Sequence, residues 1–320
     1  MPLLRLTGCV VRVLMLIAIA PAIHAESYPN RPIRVVTGGP GGGSDITARM
    51  VGQGISGALG QPIVIDNRAA GVTPGLIVSQ ASPDGHTLLV FGSTFWVAPL
   101  LQNMPYDVVK NFAPVVLINS APNVLVVHPS VPVNSVKELI ALARAKKGEL
   151  NYASGSNGGS VHLAGELFRA LAGITFVSIP YKNAAQARTD LLSGQMQFSF
   201  ATAGGAIPIV KSGKLKALAV STAKPSALMP GVPTVAAAGV PGYESGTATG
   251  MFATAKTPRA VITRLNQESV RFLERKETHE RFLNAGLEIV GGPPEHFALA
   301  INSEMTRLSK LIKEAGIHAE

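Results

Sequence analysis

Two glycine-rich loops constrain this chain more than anything else in it. Gly41-Gly42-Gly43-Ser44-Asp45 follows the β-branched run Ile33-Arg34-Val35-Val36 and precedes an apolar-periodic stretch from Ile46 to Leu59. Ser154-Gly155-Ser156-Asn157-Gly158-Gly159-Ser160 follows Leu150-Asn151-Tyr152-Ala153 and precedes Val161 to Leu171. Strand, unhindered turn and helix start form the repeating unit of α/β sheets. The same unit leaves backbone N–H groups unpaired at the positive end of a helix dipole, where an anion is stabilised. The two loops lie more than a hundred residues apart, with no catalytic motif beside them. That arrangement points to a receptor clamping an anion between two lobes.

The pattern between the loops supports an α/β architecture. Strand-like runs fall at 33–36, 63–65, 87–91, 115–118, 124–127, 150–153, 176–179, 197–201, 216–220, 249–253 and 287–290. Helical stretches separate many of them, with apolar residues three and four apart, as in Ile46, Met50, Val51, Ile55 and Leu59. Ser135-Val136-Lys137-Glu138 reads as a capping box for a helix ending near Lys147-Gly148, and Thr257-Pro258 opens another. Such alternation predicts parallel, helix-covered sheets. Chain crossings near Asn123–Val127 and Ala219–Lys224 would divide it into a discontinuous lobe, 26–123 plus 224–320, and a middle lobe, 124–223. The alternation alone suits one doubly wound domain equally well; the two separated glycine loops favour two lobes.

Residues 1–25 read as a cleavable export leader. Arg5 and Arg12 precede the apolar core Val13 to Ala20, Pro21 breaks it, and Ala22-Ile23-His24-Ala25 offers small residues for cleavage. The core is short for a membrane span. The single cysteine, Cys9, lies in a lipobox-like Leu6-Thr7-Gly8-Cys9 that comes before the apolar core rather than after it. The mature chain therefore has no thiol and no disulfide. Of the net charge of +9, two units belong to the leader, leaving +7. That excess would steer carboxylates or phosphates, or simply solvate the surface. Nucleic acid is not an expected partner, because the basic residues are dispersed and aromatics make up only 5% of the chain.

The candidate ligand residues come from strand ends. Gly41, Gly42 and Gly43 let backbone approach a ligand without a Cβ in the way, at a conformational cost that three consecutive glycines would not bear for a mere connection. Ser44 suits a helix N-cap, and Asp45 suits the first turn in a structural role, since its charge would repel an anion. In the second loop Ser154, Ser156, Asn157 and Ser160 supply donors, although a polar turn capped by Ser160 would look the same. His162 reads as a half-buried histidine rather than a base. Ser93 and Thr94 end the run 87–91, and Thr202 follows the run 197–201, the places where α/β sheets present ligands. Other motifs fail. Gly52-Gln53-Gly54-Ile55-Ser56-Gly57 lies inside a helical stretch, and Gly213-Lys214-Leu215 lacks the phosphate-loop hydroxyl. There is no nucleophile elbow and no zinc-binding histidine pair, so neither an enzyme nor a metal or cofactor is expected.

Several further segments, in this order, resemble the substrate-binding receptors of tripartite tricarboxylate transporters, the Bug family. They include Tyr28-Pro29-Asn30-Arg31-Pro32-Ile33, the Gly-Gly-Gly-Ser-Asp loop, Leu59-Gly60-Gln61-Pro62 with Asn67-Arg68, and Ser82-Pro83-Asp84-Gly85-His86-Thr87-Leu88. Met104-Pro105-Tyr106-Asp107, Asn123 to Val127, Asn151-Tyr152, His162 to Glu166, Pro180-Tyr181-Lys182 and Pro230 to Thr234 continue the likeness to Glu320. The resemblance implies a type II-like periplasmic binding protein, each lobe a helix-covered mixed or parallel sheet, with the ligand cleft between them. It implies a periplasmic monomer that closes on a small organic acid and hands it to membrane subunits. The carboxylate would be held by Gly39 to Asp45 and Ser154 to Ser160, with Gly158 among them, and Ser93, Thr94 and Thr202 would complete the wall.

The chain departs from that family pattern in four places: Thr37-Gly38-Gly39 stands where a proline and an aromatic residue are usual, Ala69-Ala70-Gly71-Val72-Thr73 alters the glycine-rich stretch after Asn67-Arg68, Ala201-Thr202 replaces a usual acidic or amide residue, and Thr247 to Gly250 has no aromatic. Those departures predict a wider or reshaped cleft, and a ligand larger than the usual dicarboxylates and amino acids or aromatic. A receptor presenting its ligand to a signalling partner such as a sensor kinase would carry the same sequence. An exported enzyme would need a nucleophile and base that the sequence does not offer.

Overall fold

β-branched and aromatic runs alternate with amphipathic stretches in this chain, and in the computed structural model each of the eleven apolar runs forms a strand. The structure describes residues 28–68, 71–155, 159–181 and 184–315; the expected export leader, 1–25, lies outside them. The first half runs β1 (Ile33–Thr37), α1 (Gly43–Leu59), β2 (Ile63–Asn67), α2 (Thr73–Ser79), β3 (Thr87–Gly92), a short α3 (Thr94–Val97) and β4 (Phe112–Ala121). The middle runs β5 (Asn123–Val127), α4 (Val136–Ala145), β6 (Asn151–Ser154), α5 (Ser160–Ala172), β7 (Val177–Pro180), α6 (Ala184–Leu192), β8 (Phe198–Thr202), α7 (Ala203–Lys211) and β9 (Lys216–Val220). The chain closes with β10 (Thr247–Thr254), α8 (Arg259–Leu273), α9 (Lys276–Asn284), β11 (Glu288–Ile289) and α10 (Pro294–Ala315).

The strands form two sheets. One has the order β11-β4-β10-β3-β1-β2, the other β7-β6-β8-β5-β9. In each, a first strand lies between its two successors, all in parallel: β1 between β2 and β3, β6 between β7 and β8. The strands beyond that nucleus run antiparallel, namely β10 against β3 and β4, and β5 against β8 and β9. The sheets are therefore mixed rather than wholly parallel. The antiparallel members adjoin the two places where the chain changes sheet, so each enters its sheet from the opposite end. This winding puts a switch point between β1 and β3 and another between β6 and β8, at whose carboxyl ends ligands collect.

Only Pro122 separates β4 from β5, while residues 221–246 join β9 to β10. Ser221 clasps the two crossings together. Its Oγ accepts from the Asn123 N–H at 2.8 Å and donates to the Ser245 carbonyl at 2.8 Å, while the Ser245 N–H donates to the Ser221 carbonyl at 2.8 Å. Tyr243 on the longer crossing stacks on Phe200 of β8 and donates its hydroxyl to the Ala164 carbonyl of α5 at 3.0 Å. A continuous apolar core runs from Val36, Leu89 and Phe252 to Leu125, Tyr152 and Phe168. α10 packs on β4 and reaches α5, so the last helix touches elements of both sheets.

Candidate functional site

The glycine loops sit at equivalent places. The first leaves β1 for α1 and the second leaves β6 for α5, each beside the end of the neighbouring parallel strand, β3 or β8. In the first loop Gly41 takes φ +78°, a left-handed conformation that favours glycine. The helix cap is Gly42, not Ser44, because the Gly42 carbonyl accepts the first helical bond, from Ile46 N–H at 3.0 Å. Ser44 is thereby moved inside the first turn. No side chain caps this end, so the amides of Gly43, Ser44 and Asp45 have no acceptor within the helix. Asp45 is buried and fully engaged. Its carboxylate accepts from Gly41 N–H (2.8 Å) and Asn67 Nδ2 (2.8 Å) and pairs with Arg49 (2.9 Å). Burial raises its pKa, but the hydrogen bonds from Asn67, Gly41 and Arg49 and the Arg49 charge outweigh that and hold it below the usual carboxylate range.

The second loop repeats this geometry. Its cap is Gly159, in nearly the same extended conformation as Gly42 (φ −73° and −75°, ψ 162° in both), again with no side-chain cap among the described residues. Ser160 is the first residue of α5, not its cap. Ser156, Asn157 and Gly158 lie outside the described residues. Ser154, at the end of β6, is 1% exposed, and among the described residues its hydroxyl has no hydrogen-bond partner. Most buried polar groups are paired, so an orphan hydroxyl at a strand end calls for an explanation. It lies on the wall of a cavity of about 310 Å³ that also takes in Gly155, Gly159, Ser160, Thr202 and Arg188. Val161, Leu191, Ile209 and Leu215 supply apolar wall.

Ser93 and Thr94 face a different space. With Ser160 and Leu163 of α5 and Glu304, Arg307 and Leu308 of α10 they surround a cavity of about 20 Å³, room for about one water. Ser160 lines both cavities, linking the two groups of expected residues. Gly39 and Gly41 to Asp45 border neither. The first loop instead lies beside the end of β3, where a Cβ on Gly92 would come within 3.5 Å of Ser44 Oγ. Of the segments lacking the usual bulky group, Gly250 is closed off by the core, because a Cβ there would meet the Phe297 ring at 2.0 Å. Thr247 and Ala248 line a third cavity of about 270 Å³ with Glu244, Glu304 and Arg307.

Sequence reasoning missed Arg188, Glu304 and Arg307. The two on α10 reach the junction only through tertiary contact; Trp96 Nε1–H donates to Glu304 Oε2 at 2.7 Å across 208 positions. Burial raises the Glu304 pKa, the Trp96 hydrogen bond and the Arg307 charge lower it, Glu244 raises it, and the net direction is upward. His162 is half-buried and its pKa lies below the ordinary value, chiefly through burial, with Glu166 opposing and Arg169 adding to the shift. A histidine so placed is neutral near pH 7. Among the described residues no group of three or more His, Cys, Asp or Glu could hold a metal ion. Among the same residues no helix is long and apolar enough to cross a membrane.

Two mixed sheets of like winding, with glycine-led helix starts at their switch points, define the two-lobed class of periplasmic solute-binding proteins. Within that class the chain belongs to the tripartite tricarboxylate transporter receptor family, TctC or Bug, whose model matches residues 47–317. The protein BugT of Bordetella pertussis is 32% identical over 304 residues, covering 93% of each chain. Rpa4515 of R. palustris, solved with adipate, is 33% identical with a TM-score of 0.79, covering 91% of this chain and 99% of its own. MatC from Rhodopseudomonas palustris, solved with bound malate, is 27% identical with a TM-score of 0.75, covering 89% of this chain and 100% of its own. Receptors of this family are solute-binding proteins, not enzymes; they bind small organic acids and work with transporter membrane subunits.

Proposed function

We propose that this chain is a periplasmic receptor that captures a small carboxylate by hinge closure and delivers it to the membrane subunits of a tripartite tricarboxylate-type transporter. In this reading it acts as a monomer exported by residues 1–25. The lobes are 26–123 plus 224–320 and 124–223, hinged where Pro122 and the Ser221 clasp carry the crossings. The carrying observation is the pair of helix starts led by Gly42 and Gly159, both without a side-chain cap and both at switch points. Uncapped amides at a helix N-terminus suit a carboxylate, so neither Lys nor Arg has to touch it.

Gly39, Gly41, Gly42, Gly43, Ser44, Ser93 and Thr94 supply one side of the clamp, with Asp45 bracing it through Gly41 and Asn67. Ser154, Ser156, Asn157, Gly158, Ser160 and Thr202 supply the other. Support for an acid with a hydrocarbon body comes from the apolar wall of the 310 Å³ cavity and from adipate in Rpa4515. A refolded, ligand-free preparation should show a concentration-dependent rise in melting temperature with one or more acids from a panel of mono-, di- and tricarboxylates and aromatic acids. Silence across that panel from a folded, empty protein would sink the carboxylate reading.

A further inference from the structure

Beside the crossings, segments of the two sheets meet backbone to backbone at Gly204 and Gly286. Gly204 lies in the first turn of α7, just after β8 of the five-stranded sheet. Gly286 follows α9, just ahead of β11 of the six-stranded one. A Cβ on Gly286 would stand 2.6 Å from Gly204 Cα and 2.7 Å from its nitrogen. A Cβ on Gly204 would stand 3.3 Å from the Ala285 carbonyl oxygen. Each added side chain would strike main chain, which has no rotamer to turn aside, so this approach requires glycine. Helix termination does not account for the pair. Gly286 takes φ +76°, which favours glycine at the end of α9. Gly60 at the end of α1 has the same need at φ +71°, yet nothing among the described residues lies within 4 Å of its added Cβ. The φ of Gly204 is not left-handed. Neighbouring residues tie the contact to the hinge and to the site. Ala203 N–H donates to the Pro122 carbonyl of the shorter crossing at 3.1 Å. Glu288, two residues past Gly286, accepts from Ser226 Oγ at 2.8 Å and Ala227 N–H at 2.7 Å in the longer one. Thr202 and Gly205 line the cavity beside the second glycine loop.

We propose that Gly204 and Gly286 form the bearing on which the two lobes turn, so that their backbone separation sets the angle at which the cleft closes. This rests on the two-lobed, hinge-closing reading and names the contact that guides the motion. Backbone resting on backbone can roll but not compress, because no side chain stands between to change its rotamer. A side chain at either position would part the lobes next to the crossings and move Thr202 and Gly205 on the cavity wall. Relieving the 2.6 Å overlap to ordinary carbon contact takes a separation of about 1 Å. Points far from the bearing would move further, as on a lever.

The test is a distance measurement between spin labels. The chain from residue 26 onward contains no cysteine, so Val109→Cys and Lys147→Cys, both exposed and one in each lobe, give a single labelled pair. Into this parent goes Gly286→Asn, because asparagine tolerates a positive φ yet carries a Cβ. Gly204→Val is the second variant, without φ strain, should the first not fold. Gly60→Asn makes the same backbone demand as Gly286→Asn with no neighbour to strike. Without ligand, the label distance should shift in Gly286→Asn, shift less in Gly204→Val and keep the parent value in Gly60→Asn. Titration with adipate and malate, the acids named for two structural neighbours, should show affinity about tenfold weaker in Gly286→Asn and unchanged in Gly60→Asn. Parent distances in both bearing variants, or an equal shift in Gly60→Asn, overturn the proposal and leave hinge closure standing. A parent whose distance stays the same when an acid binds overturns hinge closure, and the bearing with it. If the parent binds neither acid, the ligand-free distances still decide the bearing.

Discussion

The Asp45 carboxylate shows how a charged side chain can serve an anion site without touching the anion. Its two oxygens are spent on Gly41 N–H, Asn67 and Arg49, which pins the glycine turn without occupying the helix-start amides. Asp45→Asn keeps the shape but sets an amide group among donors, and should cost about 2 kcal/mol at pH 7 by urea unfolding. The folded-state pKa is depressed, so this stabilisation is present above the unfolded value of about 3.9 and lost as pH falls through the folded one. Wild-type stability should therefore drop more steeply than that of the variant below about pH 4; parallel profiles would show that Asp45 does not carry this charge-linked stability. Gly43 tests the opposite property. Nothing lies within 4 Å of where its Cβ would stand, and its φ is not left-handed. Gly43→Leu should fold and melt much as the wild type does while carboxylate affinity falls by roughly two orders of magnitude, because the side chain screens the amides. Unchanged affinity would remove this loop from the site.

At the scale of elements, α5 is positioned by a missing side chain. Gly165 lets the helix settle on Tyr152, whose ring would meet an added Cβ at 2.4 Å and whose hydroxyl donates to the Val161 carbonyl. Gly165→Ala should cost about 1–3 kcal/mol and weaken ligand binding, since lifting α5 shifts the amides at Ser160. Gly57 is the control. It is exposed in α1 with nothing within 4 Å, and Gly57→Ala should stabilise by about 0.5–1 kcal/mol without touching binding. Calorimetric melting and ligand titration of both variants would separate helix placement from helix propensity. Such elements were largely legible in sequence, because strand runs such as Val124-Leu125-Val126 are continuous and apolar and helices carry their period openly. Termini were less so. Ser44 and Ser160 looked like caps, yet Gly42 and Gly159 take that role, a choice set by which carbonyl receives the first bond. Glu138 returns its side chain to Asn134 N–H, one residue before the Ser135 cap. Strand direction could not be read locally either, since β5 and β10 owe their antiparallel sense to crossings that no short window contains. Arg188 is exposed at the rim of the cavity beside the second loop, as a lone Arg in a helical stretch ordinarily reads.

For the whole molecule the informative group is Glu304. α10 carries it to Trp96, two residues after Thr94, and Arg307, one turn on, donates to the Glu244 carbonyl in the longer crossing. One helix thus ties the end of β3 to the segment that returns the chain between sheets. Burial makes the Glu304 charge costly, and the Trp96 N–H and Arg307 offset only part of that, with Glu244 opposing them. A raised folded-state pKa means that the associated stability is complete below the unfolded value of about 4.3 and is lost as pH rises through the folded one. Glu304→Gln keeps an acceptor for Trp96 and has no charge to bury. It should match or exceed wild-type stability near pH 7, by about 1 kcal/mol, and lose that advantage below about pH 4, where wild-type Glu304 is protonated. Urea midpoints of the two proteins from pH 3.5 to 8 check this. A variant less stable at neutral pH would instead mean that the Arg307 attraction outweighs burial. The junction would then be held by an ion pair across α10, and high salt should loosen it in the wild type alone.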